Sequence, residues 1–529
     1  MDVPVTIIGC GPIGLAGALL LSQQGVASVI VERRSELNTH PRSRFVDTNT
    51  MELFRQLGIE DAVEATGLGP NWTAFIHWAD SLAVAPFASI PSPTFHSVPG
   101  PNSPCVPVMT VQDEVEKALM TRVRADAHIT VRFDTEAIAI DQSDGGTTVT
   151  VRHTETGAVE AITSYYTLGT DGPGSDTRAI IGTRLEAEPR PIHMQDVIFH
   201  ADLSAQVGER KGSLLYTMPP EGVLIFQPLD GRERWRCQVS IGSPEPLTED
   251  AIADRIRASL GVDGGVEFDI LSMRMWQPTP GCVTRFASGR ILLAGDAAHV
   301  SVPTGGMGNN IGFAGIRNLA WKVAAVINGT APTSILDTYE IEHRPVALER
   351  IAFGVETTEH MGRMMVGHRT GADVAEHTAR TRQYADYDHV LLGFELASDL
   401  IAPEAEPAPE PGDRTDGFTP LVRSGRRAPH VWVDANGRQS VLDWFGRGYV
   451  LLVGADGAAA EWRATVEGMA DGGMPVEVRP LPAGVEPHPY RPDEVVLVRP
   501  DGIIAGRAGG DADEGERERL LSLVPGGPH

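Results

Sequence analysis

The stretch PVTIIGCGPIGLAGALLLSQQGVASVIVERR, Pro4–Arg34, carries the pattern that decides the fold. Its β-branched run Val5–Ile8 is typical of a buried strand in a parallel sheet. Gly9, Gly11 and Gly14 follow in the order G-x-G-x-x-G. In such a motif the first glycine makes a tight turn, the second admits a pyrophosphate, and the third lets a helix pack against the sheet.

A helix and a second strand complete this unit. Pro12 suits the first turn of a helix, whose early amides have no internal partner, and Gly25 suits its end. The second strand ends at Glu32, 18 residues after Gly14, where a carboxylate can bind ribose hydroxyls. We therefore predict a dinucleotide site. An acid at this position favours FAD or NAD over a cofactor with a 2′-phosphate.

Composition narrows the class of protein. The 529 residues suffice for two or three domains, and a net charge of −26 argues against a nucleic-acid binder. Four cysteines without C-x-x-C or a histidine cluster predict neither a disulfide framework nor a metal site, and Cys10 suits packing. Asp2 stands where a signal peptide would be basic, and no apolar run is long enough to span a membrane. We expect a soluble cytoplasmic protein.

A second glycine-rich stretch, LLAGDAAHVSVPTGGMGNNIG, spans Leu292–Gly312. An apolar strand ends in Gly295 and Asp296, and a turn after Pro303 opens a helix. Loops of this kind hold a phosphate, a carboxylate or another electron-rich group. The chain has no second G-x-G-x-x-G, so a nicotinamide cofactor would have no Rossmann domain of its own.

Further polar residues lie between these two stretches. Arg42 and Arg44 precede a predicted helix at Met51–Leu57, so they either neutralise a pyrophosphate or lie on solvated surface. Gln112 opens a second predicted helix, and strands then lead to YTLGTDGPGSDTRAIIG, which contains an Asp-Gly pair at Asp171.

The order and spacing of these three motifs resemble those of the class A FAD-dependent aromatic hydroxylases, over about residues 3–352. The chain is most similar to the phenol hydroxylase branch, which includes actinobacterial tailoring oxygenases of aromatic polyketides and indolocarbazoles. The resemblance implies an α/β fold. A Rossmann-like FAD-binding domain is interleaved with a β-sheet substrate domain, and a thioredoxin-like domain follows at the C-terminus.

The domain ranges follow from this resemblance and from local composition. We expect the FAD-binding domain at 1–185 and, with a helical segment, at 286–400, and the substrate-binding sheet at 186–285. A Pro- and Glu-rich linker at 401–427 would lead to the thioredoxin-like domain at 428–529. That last range lacks C-x-x-C, so we expect no thiol redox activity.

The resemblance also implies which residues contact FAD. Asp296 would bind the ribityl chain, while Pro303 and the amides of the following helix would lie against the isoalloxazine ring. Asp171 and Arg178 belong to a motif that closes over the cofactor and is linked to nicotinamide binding. The full set is Gly9, Gly11, Gly14, Glu32, Arg33, Arg42, Gln112, Asp171, Arg178, Gly295, Asp296, Pro303, Gly308, Asn309 and Asn310.

The substrate side is predicted from the segment GSLLYTMPPEGVLIFQPLDGRERWRCQVSIG, residues 212–242, which predicts three strands joined by turns. Arg236 could orient a phenolate or a carbonyl. The candidate pocket residues are Arg44, Tyr216, Phe226, Trp235, Arg236 and Trp276, although core packing is favoured over the pocket for each aromatic side chain. The Met-rich segment 360–368 is either a flexible pocket wall or core.

The resemblance implies a monooxygenase that uses FAD, NADPH or NADH, and O₂ to hydroxylate an electron-rich phenolic or polycyclic substrate through a flavin C4a-hydroperoxide. Baeyer–Villiger oxidation, epoxidation and non-catalytic binding of flavin or an aromatic ligand remain alternatives, because a fold does not fix its chemistry. No protein side chain is assigned as catalytic, since the cofactor carries the reactive oxygen. A homodimer is compatible with the resemblance.

Overall fold

The computed structural model describes residues 1–38, 40, 43–95, 100–187, 192–261, 266–382, 386–405, 418–454, 459–469, 473–482 and 489–526. Its largest hydrophobic core surrounds a six-stranded sheet. The strands are β1 (Val5–Ile8), β2 (Ser28–Val31), β7 (Ile129–Arg132), β11 (Tyr166–Gly169), β19 (Ala287–Ser288) and β20 (Ile291–Leu293). Their order is β19-β20-β11-β1-β2-β7, and only the edge strand β19 is antiparallel. The predicted Rossmann-like sheet is therefore confirmed.

Fourteen α-helices lie in the part of the chain that the structure describes. They are α1 (Pro12–Gln23), α2 (Thr48–Leu57), α3 (Glu60–Glu64), α4 (Pro70–Thr73), α5 (Gln112–Arg124), α6 (Asp176–Ile180), α7 (Ser204–Val207), α8 (Glu249–Leu260), α9 (Met307–Ile327), α10 (Asp337–Thr370), α11 (Ala375–Thr381), α12 (Asp388–Leu392), α13 (Ala459–Glu467) and α14 (Glu514–Leu521). None of them is both long and apolar enough to cross a bilayer.

The glycine-rich turn after β1 has the geometry that its sequence predicts. Gly9 has φ +104°, and a Cβ there would lie 2.6 Å from the carbonyl oxygen of Thr170. A Cβ at Gly14 would lie 2.1 Å from the carbonyl oxygen of Gly9. Both positions therefore require glycine, which lets α1 start directly behind β1 and pack against α5 and α9.

A seven-stranded sheet forms the second layer. Its strands are β4 (Phe75–Ala79), β5 (Ala88–Pro91), β13 (His193–His200), β14 (Leu214–Thr217), β15 (Leu224–Pro228), β16 (Arg234–Ile241) and β17 (Asp269–Trp276). Their order is β17-β13-β16-β15-β14-β4-β5. The three strands predicted within residues 212–242 are confirmed as β14, β15 and β16. The first two strands precede the predicted range 186–285, so the sheet draws on more of the chain than that range.

One face of this sheet packs on α8 through a separate core that contains Phe199, Ile252 and Ile256. Three smaller sheets connect the layers. They are formed by β8 (Thr135–Ser143), β9 (Gly146–His153) and β10 (Val159–Ser164); by β12 (Leu185–Ala187), β18 (Gly281–Val283) and β21 (His299–Val300); and by β3 (Phe45–Val46) with β6 (Val108–Met109).

The C-terminal unit has its own four-stranded sheet. Its strands are β22 (Tyr449–Val453), β23 (Val476–Pro480), β24 (Glu494–Val498) and β25 (Ile504–Gly509). In the order β23-β22-β24-β25, the first pair is parallel and the other two are antiparallel, with α13 between β22 and β23 and α14 after β25. This is the arrangement of the thioredoxin fold, as predicted. Most of the predicted linker, residues 406–417, lies outside the described residues.

Candidate active site

A cavity of about 1020 Å³ lies where the carboxyl ends of β1, β11 and β20 meet the seven-stranded sheet. The cavity is lined by Ile8, the last residue of β1, and by Thr170 and Ala294, which directly follow β11 and β20. The carboxyl edge of an open parallel sheet is where such folds bind ligands. The volume is at the upper end of the roughly 300–1,000 Å³ of ordinary ligand pockets, so the cavity can hold more than one small molecule.

Two glycines of the cavity lining leave open space in which a dinucleotide could lie. Gly11 and Gly308 both line the cavity, and a Cβ at either position would meet no other atom of the described chain within 4 Å. Gly11 precedes α1, and Gly308 lies in the first turn of α9, so two helix N-termini border the same space. Unpaired amides at a helix N-terminus bind anions, so the residues present fit FAD.

Glu32 ends the second strand as predicted and is buried beside the glycine turn. Its carboxylate accepts hydrogen bonds from the amides of Cys10 and Arg34, both at 3.0 Å. Arg33 lines the cavity, whereas Arg42 lies outside the described residues. Burial raises the pKa of the Cys10 thiol to about 12, so it stays protonated and acts as a packing residue.

Asp171 and Arg178 hold the loops that border the cavity. Asp171 accepts hydrogen bonds from the Ser175 hydroxyl at 2.5 Å and from the Thr177 amide at 2.9 Å, which fixes the turn into α6. Arg178 donates to the carbonyl oxygens of Asp296 and Ala297 at 3.4 and 3.3 Å. Asp171 and Asp296 line the cavity, but Arg178 does not. Through Arg178, the Asp-Gly motif therefore holds the Gly-Asp loop in place.

Gln112 and Asn309 line the cavity and contact each other. The amide oxygen of Gln112 accepts from Asn309 Nδ2 at 3.3 Å, which links α5 to α9. Asn310 instead points away from the cavity, where its side chain binds the carbonyl oxygen of Phe45 and the amide of Asp47. That its backbone amide, in the first turn of α9, faces the cofactor stays a prediction.

Of the remaining residues predicted to contact the cofactor, one lines the cavity and two pack inside the loops beside it. Pro303 lines the cavity. Gly14 packs under the first glycine turn, and a Cβ at Gly295 would lie 3.0 Å from Ile13. These two glycines shape the loops without reaching the cavity.

On the substrate side, the period-two alternation of the strands decides which candidates reach the cavity. Arg44, Tyr216, Arg236 and Trp276 line it, as do Met361 and Met365 of the predicted Met-rich wall. Phe226 and Trp235 do not: both are fully buried on the opposite face, in the core that packs on α8. They precede or follow cavity-lining residues by one position, and successive side chains of a strand point to opposite faces. Their prediction as pocket residues is wrong.

Asp196, which the sequence reasoning missed, is the partner of Arg236. Its carboxylate forms a buried ion pair with the guanidinium of Arg236 and accepts a hydrogen bond from Trp276 Nε1 at 3.1 Å. Arg236 holds the pKa of Asp196 at about 2 against the effect of burial, so the pair is charged at neutral pH. His40 Nε2 lies 3.9 Å from the same carboxylate.

Polar neighbours extend this pair along the sheet. Gln227 donates to Gln238 at 2.9 Å, and Arg44 donates to the carbonyl oxygen of Pro228 at 2.8 Å. The alternation in RWRCQVSI, residues 234–241, would have placed Gln238 beside Arg236. Asp196 gave no such signal, because its partner lies on another strand. Among the described residues, no group of His, Cys, Asp or Glu side chains could hold a metal ion.

Comparisons with known proteins agree with this architecture. A family model described as "FAD binding domain" matches residues 2–353, and one described as "Aromatic-ring hydroxylase, C-terminal" matches residues 422–528. The aklavinone 12-hydroxylase RdmE of Streptomyces purpurascens is 32% identical over 96% of this chain and 95% of its own length. The tetracenomycin A2 monooxygenase-dioxygenase of Streptomyces glaucescens is 31% identical over 96% of this chain and 93% of its own.

A solved structure is similar over nearly its whole length. The flavin-dependent monooxygenase PieE, in complex with FAD and substrate, superposes with a TM-score of 0.88 at 26% identity, covering 99% of each chain. The likeness therefore includes the C-terminal unit as well as both sheets that border the cavity.

Proposed function

This chain belongs to the FAD-dependent aromatic-ring hydroxylases and is an FAD-dependent monooxygenase, and we propose that it hydroxylates a polycyclic aromatic polyketide. The observation that carries the proposal is one cavity with two unlike sides. The first side consists of glycine turns and helix N-termini, while the second consists of the polar face of the seven-stranded sheet with apolar side chains around it. A planar multi-ring substrate suits that second side.

On the cofactor side, each group of residues would hold one part of FAD. The turn at Gly9 and Gly11 would hold the pyrophosphate, Glu32 the adenosine ribose and Asp296 the ribityl chain. The N-terminus of α9 at Gly308 would face the ring, where its amides stabilise negative charge without offering a nucleophile. When bound, FAD would activate O₂, one atom of which enters the aromatic ring.

On the substrate side, the chain would bind and orient the aromatic substrate and exclude water from it. Ile225, Met361 and Met365 give the cavity an apolar lining. Arg236 can donate to a substrate hydroxyl or carbonyl oxygen while its charge is balanced by Asp196. A balanced pair orients an uncharged oxygen, as found in phenols and quinones. This places the ring in a dry site, which protects a reactive oxygen species from water.

The reductant would be NADPH or NADH, bound transiently. Support comes from the sequence, which contains one G-x-G-x-x-G motif and assigns it to FAD. A nicotinamide would therefore approach the bound flavin from the outside, without a Rossmann domain of its own.

The test is NADPH oxidation by the FAD-loaded protein, measured with and without aromatic compounds, together with product mass. We expect a polycyclic hydroxyquinone such as danthron to stimulate oxidation and to gain one oxygen atom. Catechol and phenol, which fill little of the cavity, should stimulate weakly. Turnover of catechol but of no polycyclic compound would contradict the substrate class while leaving the monooxygenase assignment intact.

A further inference from the structure

A second cavity, of about 40 Å³, lies between the FAD-binding part and the C-terminal unit. Helices α2, α9 and α10 line one side, and the turn between β24 and β25 lines the other. It is large enough for a small occupant, because a cavity holds one water molecule from roughly 10–15 Å³ upward. The active-site residues described above lie elsewhere.

Two arginines of this cavity have donors that no acceptor in the described part of the chain satisfies. They are Arg317 of α9, through Nε, and Arg427, through Nη1. Arg427 uses its other nitrogens on the Glu52 carboxylate, with Nε at 2.7 Å from Oε2. Buried polar groups are nearly always hydrogen-bonded, so these two donors call for an acceptor between them.

The nearby carboxylates cannot serve, because other donors already occupy them. Glu342 receives hydrogen bonds from Arg499 at 2.7 and 2.9 Å and from Lys322 at 2.8 Å. Asp501 receives them from Arg499, from Asn318 at 3.3 Å and from Trp321 at 3.2 Å. These bonds occupy the carboxylate oxygens of Glu342 and Asp501.

The charges of this cluster do not balance. Its cations are Arg317, Lys322, Arg427 and Arg499, and its anions are Glu52, Glu342 and Asp501. Burial lowers the pKa of Lys322 only to about 8, so it is largely protonated at neutral pH. Burial also lowers the pKa of Arg317, a half-buried residue of the cavity wall whose Nε is fully buried. One positive charge is left over, and buried charges require a counter-charge.

We propose that this interface cavity binds one monovalent anion, chloride under ordinary conditions, between Arg317 and Arg427. A halide fits the size and the charge, whereas a sulfate or phosphate would be too large and would over-neutralise the cluster. The anion would join α9 to the C-terminal unit. Arg317 lies ten residues along α9 from Met307, so the same helix reaches both this site and the large cavity.

Diffraction from the FAD-loaded protein crystallised with sodium bromide tests occupancy directly. We expect an anomalous bromine peak within about 3.5 Å of the guanidinium groups of Arg317 and Arg427. Electron density in the cavity without an anomalous signal would mean that water occupies it. That result would overturn the proposal. This test requires neither a variant nor catalytic activity, so its result does not depend on the proposed substrate.

Thermal unfolding provides the solution test. In sodium chloride, compared with sodium gluconate at equal ionic strength, we expect Tm to rise saturably by about 2 °C, because a ligand of the native state stabilises it. Arg317→Met keeps the length of the side chain and should abolish the chloride effect.

The matched control is Arg257→Met, which changes an exposed arginine that pairs with Asp254 on α8. This variant should keep the whole chloride effect. A chloride effect that is equal in both variants would show that the salt acts elsewhere and would overturn the assignment. If Arg317→Met does not fold, the bromide experiment on the unchanged protein decides alone.

Discussion

Gly11 is the residue at which a larger side chain tests the cofactor site most directly. Its backbone, at φ −77° and ψ 179°, suits any residue, and the space before it contains no other described protein atom within 4 Å. We therefore expect Gly11→Val to fold normally but to lose FAD, because its methyl groups would occupy the pyrophosphate position. Flavin absorbance per folded protein measures the loss.

Gly242→Val is the control for this substitution. Gly242 also has open space around it, but it lies on the surface and does not line the cavity. This variant should keep its flavin. Normal FAD content in Gly11→Val would remove the pyrophosphate assignment.

On our proposal, Asp196 determines whether the site prefers an uncharged or a negatively charged substrate. In Asp196→Asn the guanidinium of Arg236 would keep its charge without its ion-pair partner. We expect the variant to bind a carboxylated ligand such as rhein at least about tenfold more tightly, a change of about 1.4 kcal/mol, and danthron no better. Quenching of flavin fluorescence on titration measures both affinities.

The double variant Asp196→Asn/Arg236→Gln is the control, because it removes both charges together. It should discriminate little between rhein and danthron. If Asp196→Asn leaves the rhein-to-danthron ratio unchanged while both ligands still bind, Asp196 does not set the selectivity.

Strand β15 carries two neighbouring residues with different expected roles. Ile225 lines the large cavity, whereas Phe226 is fully buried on the other face, with its ring centroid 6.4 Å from that of Phe199. We expect Phe226→Ala to lower the free energy of unfolding by about 3–5 kcal/mol, because it leaves a void in the core. Ile225→Ala should instead raise KM for the aromatic substrate at nearly unchanged stability.

Denaturant unfolding and steady-state kinetics of both variants measure this difference. The two substitutions control each other, because they lie one position apart on the same strand. A large loss of stability in Ile225→Ala with no change in KM would contradict the assigned faces.

The same strands show which features could be predicted from the sequence and which could not. The glycine turn, the acid at Glu32 and the strands of residues 212–242 follow from local patterns. The faces of those strands were also readable: if Arg236 reaches the pocket, Trp235 cannot. Asp196 was not readable, because its ion pair joins strands whose paired residues lie 40 positions apart, and no local pattern indicates that partnership.

Contacts between the FAD-binding part and the C-terminal unit also join residues that are distant in sequence, so local patterns do not predict them. Glu52 and Arg427 are 375 positions apart, yet they form a buried ion pair across the two units. Arg55 and Asp443 form a second, more exposed ion pair between the units, at 2.7 Å. Each residue taken alone is indistinguishable in the sequence from an ordinary surface charge. The dependence of one unit on the other was therefore beyond sequence reasoning.

Deleting the C-terminal unit should accordingly destabilise the rest. A chain that ends at residue 405 would lack Arg427, Arg499 and Asp501, and would expose Glu342 and Lys322 of the buried cluster. We expect low solubility and loss of FAD, measured by gel filtration and flavin content. A monomeric, fully flavin-loaded fragment would contradict this.

The control is the full-length chain cut at a protease site inserted within residues 406–417. Both fragments should stay associated through the buried interface and retain FAD. This comparison separates the effect of losing the unit from the effect of breaking the chain.

The two loops at Gly9 and Gly295 are about 290 residues apart, and this spacing has a consequence for synthesis on the ribosome. At roughly 5–20 residues per second, the second loop leaves the ribosome about 15–60 s after the first. Within that interval β11 pairs with β1 but lacks its other neighbour, β20, and on our proposal FAD has only part of its binding surface. The nascent chain therefore carries an unpaired, apolar strand edge until β20 emerges, which makes it a natural client for chaperones.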